Sequence, residues 1–129
     1  MIYVIDTHAL YWFLQGSRKL SRRARAIIDD ARSGNAYLFL SVVSLAELQM
    51  VLEKNQDPRP LQAWIAPVLH SSYLEIVPLE LEHIRKSSEL RRLPDMHDRL
   101  IVATALLKDV PLITTDEKIE DSKLVETVW

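Results

Sequence analysis

Cysteine is absent from this 129-residue sequence, which excludes disulfides and thiolate metal sites and fits a reducing, cytoplasmic setting. Glycine occurs only at Gly16 and Gly34, so connections are expected to be short and a glycine-rich phosphate cradle is ruled out. No window approaches the roughly 18 uncharged apolar residues of a membrane-spanning helix, and no membrane partner is expected. The opening MIYVID lacks the basic start of a secretion signal and reads as a first strand. Repeats and low-complexity segments are also missing. What is present is core material. With 48% hydrophobic residues, a chain of this size buries about two thirds of its unfolded surface. One domain over residues 1–129 is expected.

Short apolar segments alternate with helical ones. Residues 2–5, 36–40, 73–77, 111–115 and 124–129 read as strands, being short and rich in β-branched and aromatic side chains. Helices are expected over 7–14, 22–33, 44–54, 60–71, 80–92 and 97–108. Ser21 can cap the second of these and Gly34 stop it. The alternation predicts an α/β fold with a parallel sheet buried on both faces. In such sheets ligands bind beyond the carboxyl ends of the strands.

The acids fall where that rule directs attention. Asp6 ends the first strand and Asp116 ends the fourth, in LITTD. Glu47 and Asp98 lie near helix amino ends, which face the same rim. Each has an ordinary explanation. Glu47 forms a capping-box spacing with Ser44, Asp98 suits a helix dipole, and Asp116 can cap EKIED. Asp6 can cap 7–14, although Thr7 would do so with less desolvation. Taken together, the four form a pattern that capping does not explain. Two unpaired carboxylates about 4 Å apart repel by about 4 kcal/mol at an effective dielectric of 20. No lysine or arginine adjoins Asp6 or Glu47 in sequence, so a hard divalent cation with oxygen ligands is the economical counter-charge.

Other features are less specific. The net charge of −2, from 16 basic and 18 acidic residues, does not bear on nucleic acid. Two basic clusters, at 17–25 and 84–93, can grip phosphates or simply be solvated helix faces. The histidines lack HxH and HExxH spacing, so zinc is not expected. His8 and His97 each adjoin a site acid, where either could position water or phosphate.

VIDTHALYWFL, SVVSLAEL, LPDMHDRLIVATALL and LITTD resemble, in order and spacing, the four acidic motifs of PIN-domain proteins, in particular VapC-type toxins of toxin–antitoxin pairs. The resemblance implies a three-layer α/β/α sandwich around a five-stranded parallel sheet of order 3-2-1-4-5. It implies a Mg²⁺- or Mn²⁺-dependent ribonuclease with Asp6, Glu47, Asp98 and Asp116 as metal-site and catalytic acids. Asp6 and Asp98 would be the direct ligands, and Thr114 the supporting hydroxyl. Many relatives have asparagine where this chain has His8. Asp95 is an acid that only some share, either a base behind the ligands or, as preferred here, a loop residue. Arg18, Lys19, Arg22, Arg23 and Arg99 are candidates for RNA binding. A small antitoxin and a homodimer are implied partners. Apolar Tyr11, Trp12 and Phe13 can pack the core or face such a partner.

Two competing functions are weaker. A PIN scaffold acting in assembly without turnover would be expected to lose acids. A receiver-type phosphotransfer protein needs paired acids after strand one and an aspartate after strand three, and YLEIVPLEL has none.

Overall fold

The computed structural model describes residues 1–129. Five strands, β1 (Ile2–Ile5), β2 (Tyr37–Ser41), β3 (Leu74–Val77), β4 (Leu112–Ile113) and β5 (Thr127–Val128), form one parallel sheet of order β3-β2-β1-β4-β5. Seven helices surround it: α1 (Thr7–Gln15), α2 (Arg22–Arg32), α3 (Val42–Lys54), α4 (Leu61–Leu69), α5 (Leu81–Ser87), α6 (Met96–Lys108) and α7 (Glu117–Ser122).

Side-chain alternation along the strands divides the core into two layers. Tyr3 and Ile5 of β1, Leu38 and Leu40 of β2, and Ile113 of β4 face α1 to α4. Val4 and Leu112 face the other way, onto Leu100, Ile101 and Ile119 of α6 and α7. Both faces are therefore covered, as the continuous apolar strands require, and the three-layer α/β/α sandwich is the observed architecture. Tyr11 is buried, and Trp12, Phe13 and Leu14 are half-buried against the first of these layers, so this segment packs the core.

Several boundaries differ from expectation. The helix after β2 begins at Val42 because Ser41 caps it, its hydroxyl accepting the Val43 N–H at 3.1 Å. Ser44 is therefore inside the helix, with a buried hydroxyl that has no partner, and the Ser44–Glu47 capping box does not form. Glu47 moves into the second turn and is free for other contacts. The expected helix over 80–92 stops at Ser87. Ser87 and Ser88 donate their hydroxyls to the carbonyls of Ile84 and Arg85 at 2.6 and 2.7 Å, which competes with helix continuation. Leu90 and Leu93 then turn into the core. The last two strands shrink to two residues each, and EKIEDS becomes a helix.

The strand order puts β1 and β4 side by side, with Val4 opposite Leu112 and Ile5 opposite Ile113. This is the switch point, where the order turns from descending to ascending and a crevice opens. Asp6 and Thr114 are the residues that leave the sheet there.

Candidate metal centre

Asp6 caps α1 in place of the expected Thr7. Its Oδ1 accepts the Thr7 N–H at 2.7 Å and its Oδ2 accepts the Thr114 hydroxyl at 2.6 Å. The Thr114 oxygen in turn accepts the Asp116 N–H at 3.1 Å, so one threonine ties the first acid to the last. Asp116 also caps α7 through the Ile119 N–H at 3.1 Å. Thr7 donates its hydroxyl to Glu47 Oε1 at 2.6 Å, anchoring α3 to the start of α1. This bond spans forty positions, and sequence reading missed it because Thr7 was weighed only as a cap.

Asp95 lies in the loop before α6, as expected, and caps that helix by accepting the Asp98 N–H at 3.1 Å. Asp98 therefore lies in the first turn of α6 rather than at its opening. The segment before α6 is held by Arg99, whose Nε donates to the Leu93 carbonyl. Arg99 is half-buried by that role and does not present a free guanidinium as the other four basic candidates do. Arg18, Lys19, Arg22 and Arg23 are all exposed, and Lys19 lies 5.8 Å from the Trp12 ring centroid.

Five carboxylates thus meet at one rim. Burial and, after it, mutual repulsion raise the proton affinity of three of them. Asp6 is 9% exposed, and burial pushes its carboxyl up, against the lowering effect of the Thr114 and Thr7 hydrogen bonds. Burial also raises Glu47, with Asp6 and Asp95 adding to the effect. Asp98 is raised from 3.8 to about 7, by partial burial and then by the charges of Asp116, Asp95, Glu47 and Asp6. No lysine or arginine pairs with any of the five. A carboxylate cluster without a counter-charge is a poor structural element and a good cation site. All its donors are hard oxygens, which suit Mg²⁺ or Mn²⁺.

The four acids singled out from sequence are not the most compact group. Glu47, Asp95 and His97 are, with their ligand atoms all within 4.8 Å of one another. A cleft of about 310 Å³ adjoins them, lined by His8, Glu47, Met50, Val51, Lys54 and His97. His8 is exposed, tilts against Trp12 at 5.6 Å, and lowers the Asp6 carboxyl by its charge. A larger hollow of about 520 Å³ opens at the opposite end of the sheet, around Met1, Tyr37 and Tyr73, far from the acids.

Comparison with known proteins finds the same fold. VapBC2 from Rickettsia felis, solved bound to a DNA fragment from its promoter, superposes with a TM-score of 0.74 at 22% identity, over 99% of this chain and 98% of that one. VapC20 of Mycobacterium tuberculosis, a toxin that cleaves the sarcin–ricin loop, gives 0.70 at 18% identity, over 98% of each chain. A toxin–antitoxin complex from Klebsiella pneumoniae gives 0.70 at 20% identity, over 98% of this chain and 96% of that one. No curated protein sequence matches significantly. The PIN domain profile matches residues 3–123, a span that includes every acid of the cluster, and the chain belongs to the PIN domain family.

Proposed function

We propose that this PIN domain is a Mg²⁺- or Mn²⁺-dependent endoribonuclease, the toxin of a toxin–antitoxin pair, acting in the cytoplasm as a single-domain chain. The observation that carries this reading is the carboxylate cluster at the β1/β4 switch point, with no lysine or arginine paired to it and only the imidazoles of His8 and His97 beside it. Asp6 and Asp98 are assigned as the direct ligands, with Glu47 and Asp116 completing the set. A divalent ion held there would lower the pKa of bound water and polarise the scissile phosphate.

The remaining roles belong to the chain. Thr114 fixes Asp6 and the backbone of Asp116 at once, so the two strand-end acids keep one spacing. Thr7 fixes Glu47 through Oε1 and leaves Oε2 facing His97. Asp95 fixes the first turn of α6 and with it Asp98. Such supporting bonds preserve the separation that repulsion would otherwise widen. Because the acid pocket repels RNA, attraction is assigned to the exposed Arg18, Lys19, Arg22 and Arg23, which carry no competing acid in their own segment. His8 borders the cleft beside Glu47 and is assigned to substrate contact rather than to metal.

The toxin role is supported by solved relatives that are themselves toxins or toxin–antitoxin complexes. Exposed Leu79, Leu81 and Ile84, together with Met50, supply apolar surface for an antitoxin or a second copy of the chain. No helix is long and apolar enough to cross a membrane.

The test is cleavage of a panel of transfer, ribosomal and messenger RNA by antitoxin-free protein, first in chelator and then with Mg²⁺ or Mn²⁺. Cleavage is expected only with metal, and not with Asp6→Asn. A folded wild-type protein that cuts nothing with either ion would refute the enzymatic reading and leave the assembly-scaffold alternative.

A further inference from the structure

We propose that Glu47, Asp95 and His97 form a second cation position whose imidazole nitrogen makes it prefer Mn²⁺ over Mg²⁺. The inference rests on the metal-dependent reading above and extends it from Glu47 to Asp95 and His97, which lie outside the four assigned acids.

The geometry is that of ligands awaiting an ion. His97 Nδ1 lies 3.6 Å from Glu47 Oε2, too far for a hydrogen bond. Two donors bound to one ion at about 2.1 Å, roughly at right or tetrahedral angles, stand about 3.0 to 3.5 Å apart. Asp95 completes a triangle in which all donor atoms fall within 4.8 Å. Side-chain rotation of Asp95 would bring the widest of these separations down to ligating distance, and Asp95 is exposed enough to turn.

Each carboxylate has an oxygen to give. Glu47 Oε1 is occupied by the Thr7 hydroxyl, which leaves Oε2 facing His97. Asp95 Oδ1 receives the Asp98 N–H, which leaves Oδ2. The backbone supports the arrangement as well. Asp95 is the cap of α6 and His97 its second residue, so both are fixed by the start of one helix. Glu47 reaches them from α3 across the mouth of the 310 Å³ cleft, which is open to solvent and therefore to ion entry.

The nitrogen decides the selectivity. Mg²⁺ is hard and takes oxygen ligands with near-octahedral strictness. Mn²⁺ also favours carboxylate oxygen, but as a first-row transition metal it exchanges a water for an imidazole nitrogen more readily than Mg²⁺, which dehydrates reluctantly. The other acids offer oxygen only, so the nitrogen donor is what separates the two positions.

The experiment measures binding, with no RNA present. Mn²⁺ and Mg²⁺ are titrated calorimetrically into metal-free wild type, His97→Ala and His97→Asn, and the Mn²⁺ forms are examined by electron spin echo spectroscopy for coupling to nitrogen. Wild type is expected to bind Mn²⁺ about tenfold or more tighter than Mg²⁺ and to show imidazole coupling. Both variants should lose the coupling and about tenfold in Mn²⁺ affinity, while Mg²⁺ affinity changes less than about threefold. Equal affinities with no nitrogen coupling in wild type would mean that His97 is only an ion-pair partner of Glu47. That result overturns the inference and leaves the four-acid site standing. Absence of any binding by either ion would overturn both.

Discussion

Asp98→Asn should make the metal-free protein more stable while destroying its activity. Asp98 is raised from 3.8 to about 7, because burial and four neighbouring carboxylates penalise its charge. A carboxyl that holds its proton more tightly folded than unfolded loses stability as pH rises from 3.8 towards 7, and the loss is complete above 7. At full strength that interval is worth about 4 kcal/mol. Asp98 is only half-buried, so screening reduces the figure to about 1 to 2 kcal/mol. The favourable contact of the charge with the α6 dipole is already part of that balance. For 129 residues, 1 kcal/mol corresponds to about 4 °C in Tm. The asparagine variant should therefore melt about 4 to 8 °C above wild type in chelator at pH 8. At pH 5 most of the advantage should disappear, because wild-type Asp98 is then largely protonated when folded, and near pH 4 it should vanish. The assay is thermal denaturation by circular dichroism across that pH series, with RNA cleavage measured in parallel. A variant that melts at or below the wild-type temperature at pH 8, or a gain that does not depend on pH, would refute the claim that uncompensated repulsion dominates the cluster.

Three further outcomes are expected. Mn²⁺ at a hundred times its dissociation constant should stabilise wild type by about 2.7 kcal/mol, reversibly with chelator, and no shift in Tm at millimolar metal would count against a metal site. Thr114→Val removes the hydroxyl between Asp6 and Asp116, so cleavage should fall about 10- to 100-fold with the fold intact by circular dichroism; an unchanged rate would show that the hydroxyl positions nothing. Binding to an RNA that cannot be cleaved should weaken steeply with salt, and replacing Arg22 and Arg23 by alanine should lower the slope of log K against log salt by about 1.4; an unchanged slope would remove both from the RNA contact.

The order of the elements could be read in the sequence because it rests on local patterns. Apolar runs of four or five residues with β-branched and aromatic content became strands, and Ser21 and Gly34 bounded α2 as expected. Boundaries failed where a local signal had a competitor. Ser41 and Ser44 both offer a capping hydroxyl, and only packing of the α3 start against β2 decided for Ser41. The segment 88–93 is helical by propensity, but burying Leu90 and Leu93 outweighed the hydrogen bonds of another turn.

The sequence by itself determined which acids stand at strand and helix ends, since chain direction in a parallel sheet puts those ends on one rim. It also determined that no basic residue adjoins Asp6 or Glu47. Tertiary structure decided what each acid touches. The Thr7–Glu47 and Thr114–Asp6 bonds join positions 40 and 108 residues apart, and no periodicity encodes a contact across that distance. It also brought Asp95 and His97 up to Glu47, because the angle at which α3 packs on α6 is set by side-chain volumes in the core. Hydrogen-bond partners and ligand distances depend on tenths of an ångström, and only the packed fold specifies those.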